Sequence, residues 1–108
     1  MGQIGVWESV EDGVKRNILT SGEDLMIMEV RFKNGAIGNK HQHPHEQISY
    51  CLDGQFEFTI GTAHTIIEKG ESLYIPPNTL HGVKALSDGS LLDSFSPVRE
   101  DLLEGKHS

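Results

Sequence analysis

Three histidines and one glutamine form the pattern in this 108-residue chain that could do chemistry: His41 and His43 around Gln42, then Gln47, and much later His81. In an extended segment residues i and i+2 point to the same face, so the imidazoles of His41 and His43 project side by side while Gln42 turns away. If the strand continues, Gln47 keeps their parity, and His81 can reach the same point from a neighbouring strand. Imidazole nitrogens suit a borderline transition metal better than Ca or Mg, which take oxygen shells. A lone His-x-His is more often a solvated pair on an exposed strand; Gln47, His81 and the spaced Gly and Pro positions around them turn the balance toward a metal or ligand site. Glu46 competes with Gln47 as a ligand, but one strand position sends it to the opposite face.

The elements that must position these groups are strands. Turn signals come at short, regular intervals, the rhythm of an all-β sandwich or barrel. Leu25 to Phe32 alternates, with Met26, Met28, Val30 and Phe32 on one face, and Gln55 to Ile60 alternates with Phe56, Phe58 and Ile60 opposite Glu57 and Thr59. Further strands are expected at Ile4 to Ser9, Val14 to Leu19, Glu46 to Leu52, Thr62 to Glu68, Ser72 to Ile75, His81 to Ala85 and Ser90 to Phe95. Asp53-Gly54 between two apolar runs predicts a tight hairpin. Gly35 and Gly38 interrupt the chain before the histidines, Gly70 permits a turn, and Pro76-Pro77-Asn78 must be a loop. Only the tail from Arg99 to Leu103 offers a helical turn or two.

Length fits one domain, residues 1–108 with a core over about 4–98. A net charge of −7 with no basic cluster excludes a general nucleic-acid binder. The lone cysteine, Cys51, excludes an intramolecular disulfide, and no apolar run reaches the length of a signal-peptide core or a membrane span, so a cytoplasmic protein is expected. Val6 stands where a myristoylation signal wants Ser or Thr.

Written with their glycines, the two segments are Gly35-x5-His41-x-His43-x3-Gln47-x6-Gly54 and Gly70-x5-Pro76-x-Asn78-x2-His81. These resemble the two signature motifs of the cupin family, and the resemblance covers nearly the whole chain. It implies a single-domain jelly-roll β-barrel holding one divalent transition metal (Ni, Zn, Fe, Co, Mn or Cu) on His41, His43, Gln47 and His81. Asn78 replaces a usual Gly, a tolerable change because Asn enters the left-handed region, and Ala85 replaces a frequent Asn. Gln47 replaces the Glu that most metal-binding cupins carry. A neutral amide leaves the dication its full charge, which favours anionic, carboxylate-bearing substrates and weakens a reading as an oxygen-activating iron enzyme.

A second cluster runs from Asp93 through Phe95 and Arg99 to Asp101. Asp93 and Phe95 share one strand face with Leu91, so Asp93 either sits on a solvent face or is a buried acid that needs a partner or a function. With His-x-His and a Gln ligand, the string Asp93-x-Phe95-Ser96-Pro97-x-Arg99 is similar to KdgF-type cupins of pectin and alginate breakdown. That resemblance implies conversion of 4,5-unsaturated uronate monosaccharides to linear 4-deoxy-5-keto-uronates, with Asp93 shuttling a proton and Phe95 walling the site. Arg99 either grips the substrate carboxylate or pairs on the surface with its acidic neighbours. Other sugar-acid isomerase or lyase chemistry, a metal-dependent dioxygenase and a non-enzymatic small-ligand binding module remain alternatives.

Outside these clusters, His45 reads as a solvated loop residue or a pocket-mouth residue, His64 and His107 as surface residues, and Cys51 as a small inward residue without an activating partner. Ile48, Tyr50 and Leu52 lie on the face opposite Gln47, and a homodimer is the simplest cover for them.

Overall fold

The computed structural model describes residues 3–103, so His107 and the first two residues lie outside the described part of the chain. Ten strands follow one another: β1 (Trp7–Glu11), β2 (Val14–Ser21), β3 (Met26–Phe32), β4 (Ile37–His41), β5 (Glu46–Asp53), β6 (Gln55–Ile60), β7 (Ala63–Glu68), β8 (Ser72–Ile75), β9 (His81–Ala85) and β10 (Gly89–Ser96). They form two sheets, β1-β2-β3-β10-β5-β8 and β4-β9-β6-β7, with every named pair antiparallel. The all-β expectation holds. No strand pairing among the described residues joins the sheets, so the hydrogen bonding is that of an open sandwich and not of the closed barrel expected.

Alternation builds the core. Met26, Met28, Val30 and Phe32 of β3 all point inward and are buried, as their period-2 spacing predicts, and Phe56 and Phe58 of β6 meet them from the other sheet. Phe32 and Phe56 touch edge-on across the gap, ring centroids 5.2 Å apart, an arrangement that puts the positive edge of one ring against the negative face of the other. Leu91 and Phe95 of β10 complete the layer.

Three local expectations are corrected. Asp53-Gly54 does not make a hairpin: β5 and β6 lie in different sheets, and of the two residues only Gly54 has positive φ, at 85°. Here the chain crosses between layers, and a side chain at Gly54 would collide with the Asp88 carbonyl and the Gly89 Cα, so space as well as φ requires glycine. The strand carrying His41 does not continue to Gln47 either. β4 ends at His41, the chain bends at Pro44-His45, and β5 starts in the other sheet. Finally, β1 begins at Trp7 and not at Ile4, which makes only an isolated bridge to Ile18, and β3 begins after the exposed Leu25. The tail forms one 3-10 turn, Glu100–Leu102.

The register of the larger sheet arranges its concave side chains in rows. One row crosses Met26, Phe95, Gln47 and Ile75; the next Ile18, Met28, Asp93, Ser49 and Leu73; the third Arg16, Val30, Leu91 and Cys51. Successive rows lie about 7 Å apart, two residues along each strand.

Candidate metal centre

His41 closes β4 and His81 opens β9, directly opposite each other in the smaller sheet, while His43 follows in the bend that carries the chain to the larger sheet. One ring nitrogen of each lies within 4.8 Å of the others. The His41 and His81 rings pack edge-on at 4.4 Å, and those of His43 and His81 at 5.0 Å. Gln47 reaches the cluster from the first row of the larger sheet, where its parity turns it inward and leaves Glu46 outside on the Tyr74 hydroxyl.

Each imidazole is held at Nδ1 by a backbone carbonyl: His41 by Asn39 at 3.0 Å, His43 by His45 at 3.1 Å, His81 by Thr79 at 2.8 Å. A carbonyl only accepts, so each Nδ1 bears the proton and each Nε2 presents a lone pair. The Nε2 of His81 is buried with no hydrogen-bond partner. That of His43 lies 3.2 Å from Oε1 of Gln47, whose own Nε2 donates to Ser49 Oγ at 2.9 Å, so that the amide turns its oxygen to the histidines. Convergent lone pairs without a donor among them are stable when a cation sits between them, and carbonyl-held imidazoles are the usual support of such ligands. The residues present therefore fit a divalent transition metal. Burial, the Arg99 guanidinium and the neighbouring histidines hold the His43 imidazole down at about 4, and burial lowers His81 as well, so both remain neutral at physiological pH.

Beside the cluster, Asp93 is buried, which removes the solvent-face reading. Ser49, fully buried in the same row, donates to its Oδ1 at 2.7 Å. Burial lifts the carboxyl to about 6 against the opposing pull of the Ser49 bond and the Arg99 charge. Phe95 packs edge-on against His43 at 5.7 Å, walling the space between metal cluster and acid. Arg99 lies over the Phe95 ring at 5.1 Å and clamps Asp101 in two bonds, Nε to Oδ1 at 3.0 Å and Nη2 to Oδ2 at 2.8 Å. It is thus both an ion-pair partner, of Asp101 and not of Glu100, and a cavity residue, its side chain only 12% exposed. A cavity of about 160 Å³ brings His41, Gln47, His81, Asp93, Phe95 and Arg99 onto one surface.

The remaining residues sort cleanly. His45 is half-buried in the shallow groove outside the cluster, with its ring against His43, and not a solvated loop residue. His64 is exposed, as expected. Cys51 is fully buried, its thiol donates to the Asp53 carbonyl at 3.3 Å, and burial pushes its pKa up, as suits an inert inward residue. Sequence reasoning missed Ser49 and Arg16 as site neighbours. Ser49 shares the parity of Gln47, but its opposition to Asp93 is a matter of register that no local signal displays.

The cupin domain model matches residues 28–94, well over half of the chain. This chain belongs to the cupin family. Among relatives, the cupin is 44% identical over 99 residues, 90% of each chain, to the pectin degradation protein KdgF of Dickeya dadantii. Its fold superposes on KdgF from Halomonas sp. with a TM-score of 0.86 at 36% identity, covering 95% of this chain and 100% of the other. An RmlC-like cupin from Shewanella frigidimarina matches with a TM-score of 0.85 at 35% identity over 90% of this chain and 87% of the other. No helix among the described residues is long and apolar enough to cross a membrane.

Proposed function

We propose that this cupin opens 4,5-unsaturated uronate monosaccharides to linear 4-deoxy-5-keto-uronates, working in pectin degradation with a divalent metal on His41, His43, Gln47 and His81. The observation that carries the reading is the run Gln47–Ser49–Asp93, which ties a candidate ligand to a buried acid inside one cavity. Likeness to two KdgF proteins supplies the substrate class.

The net step is an isomerisation. The C1–O5 bond breaks, the anomeric hydroxyl gives up its proton to become an aldehyde, C4 gains a proton, and O5 becomes the oxygen of a ketone at C5. No oxidant or co-reactant enters. When bound, the metal supplies a Lewis acid that polarises the substrate's oxygens. Asp93, lifted toward neutrality by burial, exchanges the proton with the C4 side of the enol ether. Its Oδ1 already accepts from Ser49, which leaves Oδ2 for the substrate. Phe95 excludes water from that exchange, and Arg99 meets the carboxylate at the mouth with the donors that Asp101 leaves free.

A jelly-roll topology, a cytoplasmic setting and a homodimer across Ile48 and Tyr50 belong to the same reading; both side chains are exposed on the outer face of β5. The test is loss of the conjugated-alkene absorbance when the metal-replete protein meets unsaturated monouronates freshly released by a lyase. Accelerated loss that needs His41 and Asp93 supports the reading; a rate equal to buffer, with metal bound and fold intact, rejects it.

A further inference from the structure

We infer that Arg16 is a specificity-determining residue of this site, taking the C2–C3 hydroxyl end of the uronate at the end of the cavity away from the histidines. The inference rests on the uronate reading above and deepens it. Arg16 lines the same cavity as Asp93, His41 and His81. It stands in the third row of the concave face, where Val30, Leu91 and Cys51 are its companions, so a charge here faces an otherwise apolar row. Such a placement is costly unless the charge has partners or a use.

Its protein partner accounts for only part of the guanidinium. Glu8, opposite on β1, accepts from Nε at 2.8 Å, and the terminal nitrogens have no hydrogen-bond partner among the described residues. The side chain is 18% exposed and lines the cavity, which leaves those donors available to a molecule inside it.

The rows give the sugar a direction. Gln47 and Phe95, with Arg99 beyond them, mark the end that takes the carboxylate; Asp93 and Ser49 mark the middle, where C4 must lie to receive a proton; Arg16 marks the third level. From Asp93 to Arg16 the backbone separation is about 10 Å across two strand spacings and about 7 Å along the strands, a gap that a long arginine side chain narrows to the reach of one sugar. With C5 and C4 placed at the first two levels, the C2–C3 edge turns toward Arg16. Desaturation erases the stereocentres at C4 and C5, so apart from the anomeric carbon only C2 and C3 still record which polysaccharide the sugar came from. Paired guanidinium donors in fixed geometry suit two adjacent hydroxyl oxygens and sense whether they lie cis or trans.

Steady-state kinetics of the metal-replete protein on two unsaturated monouronates, the 2,3-trans sugar from pectin and the 2,3-cis sugar from alginate, test this. Arg16→Gln is expected to raise KM for the preferred epimer about tenfold or more while kcat stays within a few-fold, as loss of a charged hydrogen bond implies. It should also bring the kcat/KM ratio of the two epimers toward one. Glu8→Gln breaks the same ion pair but keeps the guanidinium, and should leave the ratio at its wild-type value. Should Arg16→Gln fail to fold, Arg16→Lys keeps the charge without the paired donors and should shift the ratio in the same direction. An unmoved ratio in the Arg16 variants, equal effects of the Arg16 and Glu8 variants, or a wild-type ratio already near one overturns the inference and leaves Arg16 a structural ion-pair partner. No turnover of either epimer by the wild-type protein overturns the uronate reading and this inference with it, an outcome distinct from turnover with an unmoved ratio.

Discussion

The Nε2 of His43 and the Oε1 of Gln47 face each other at 3.2 Å, lone pair against lone pair, because the His45 carbonyl claims the Nδ1 proton and the Gln47 amide nitrogen is turned away to donate to Ser49 Oγ. A cation held by His43 and Gln47 would turn that repulsion into attraction. Adding Ni or Zn to chelator-stripped protein should therefore raise its thermal midpoint, with about 2.7 kcal/mol of stabilisation at a hundredfold excess over Kd. His81→Ala should lose most of that gain. Calorimetry with and without chelator decides, and an unchanged midpoint for the wild type would remove the metal from the site.

Without the ion, the same histidines make the fold acid-sensitive. His43 stays neutral in the folded state down to about pH 4, whereas an unfolded histidine takes its proton near 6.5. The unfolded chain binds more protons between those values, so stability falls as pH drops through that window, and His81, lowered too, acts in the same sense. Denaturant midpoints of metal-stripped protein at pH 7, 5.5 and 4.5 should decline more steeply for the wild type than for His43→Gln. Parallel declines would mean that other groups dominate.

Much of this was legible in the sequence. The inward residues of β3 and β6 announce themselves by alternation, and β6, β8 and β9 begin and end where the turn residues say. What was not legible is sheet membership. Asp53-Gly54 reads as a hairpin because local turn chemistry says nothing about whether the next strand pairs with the last or crosses to the opposite layer. The parity that turns Gln47 inward from His43 requires a continuous strand, and it holds here only because the bend at Pro44-His45 is followed by a strand whose own pairing restores the direction. Ser49 and Arg16 become site residues through register alone.

Replacing Asp93 should trade activity for stability. Its carboxyl, raised to about 6, is neutral in folded and unfolded states below about pH 3.8 and charged in both above 6, where burial opposes it. The stability present at low pH is thus lost as pH rises through 6. Asp93→Asn keeps an acceptor for Ser49 and has no charge to bury. It should be more stable than wild type at pH 7 to 8 by on the order of 3 kcal/mol, a gain that vanishes below pH 4. Ring opening should fall at least about a hundredfold. A mutant no more stable than wild type at pH 8 would mean that the carboxylate is well solvated.

Ser49 and Gln47 should move metal affinity in opposite directions. Ser49→Ala frees the amide to turn its NH₂ toward the histidines, and affinity should fall about ten- to a hundredfold, the usual effect of losing a support of a ligand. Gln47→Glu adds a negative charge, so binding should tighten while the bound ion becomes a weaker Lewis acid and kcat drops. Competition with a chromogenic chelator reads the affinities. Equal affinities for Ser49→Ala and wild type would show that the amide is oriented by other means.

Arg99 has one edge of its guanidinium free because the other is taken: Nε and Nη2 are fixed on Asp101, and its Cζ lies over the Phe95 ring at 5.1 Å. Lysine cannot reproduce this, since it presents a point charge without paired donors and without a plane to stack. Arg99→Lys should raise KM about tenfold or more with a smaller effect on kcat. Asp101→Asn keeps a single acceptor and so part of the orientation, and its KM should rise less than that of Arg99→Lys. If Asp101 instead competes with the substrate carboxylate for the guanidinium, the Asn variant will show a lower KM than wild type. The sign of that one change separates a positioning carboxylate from a blocking one.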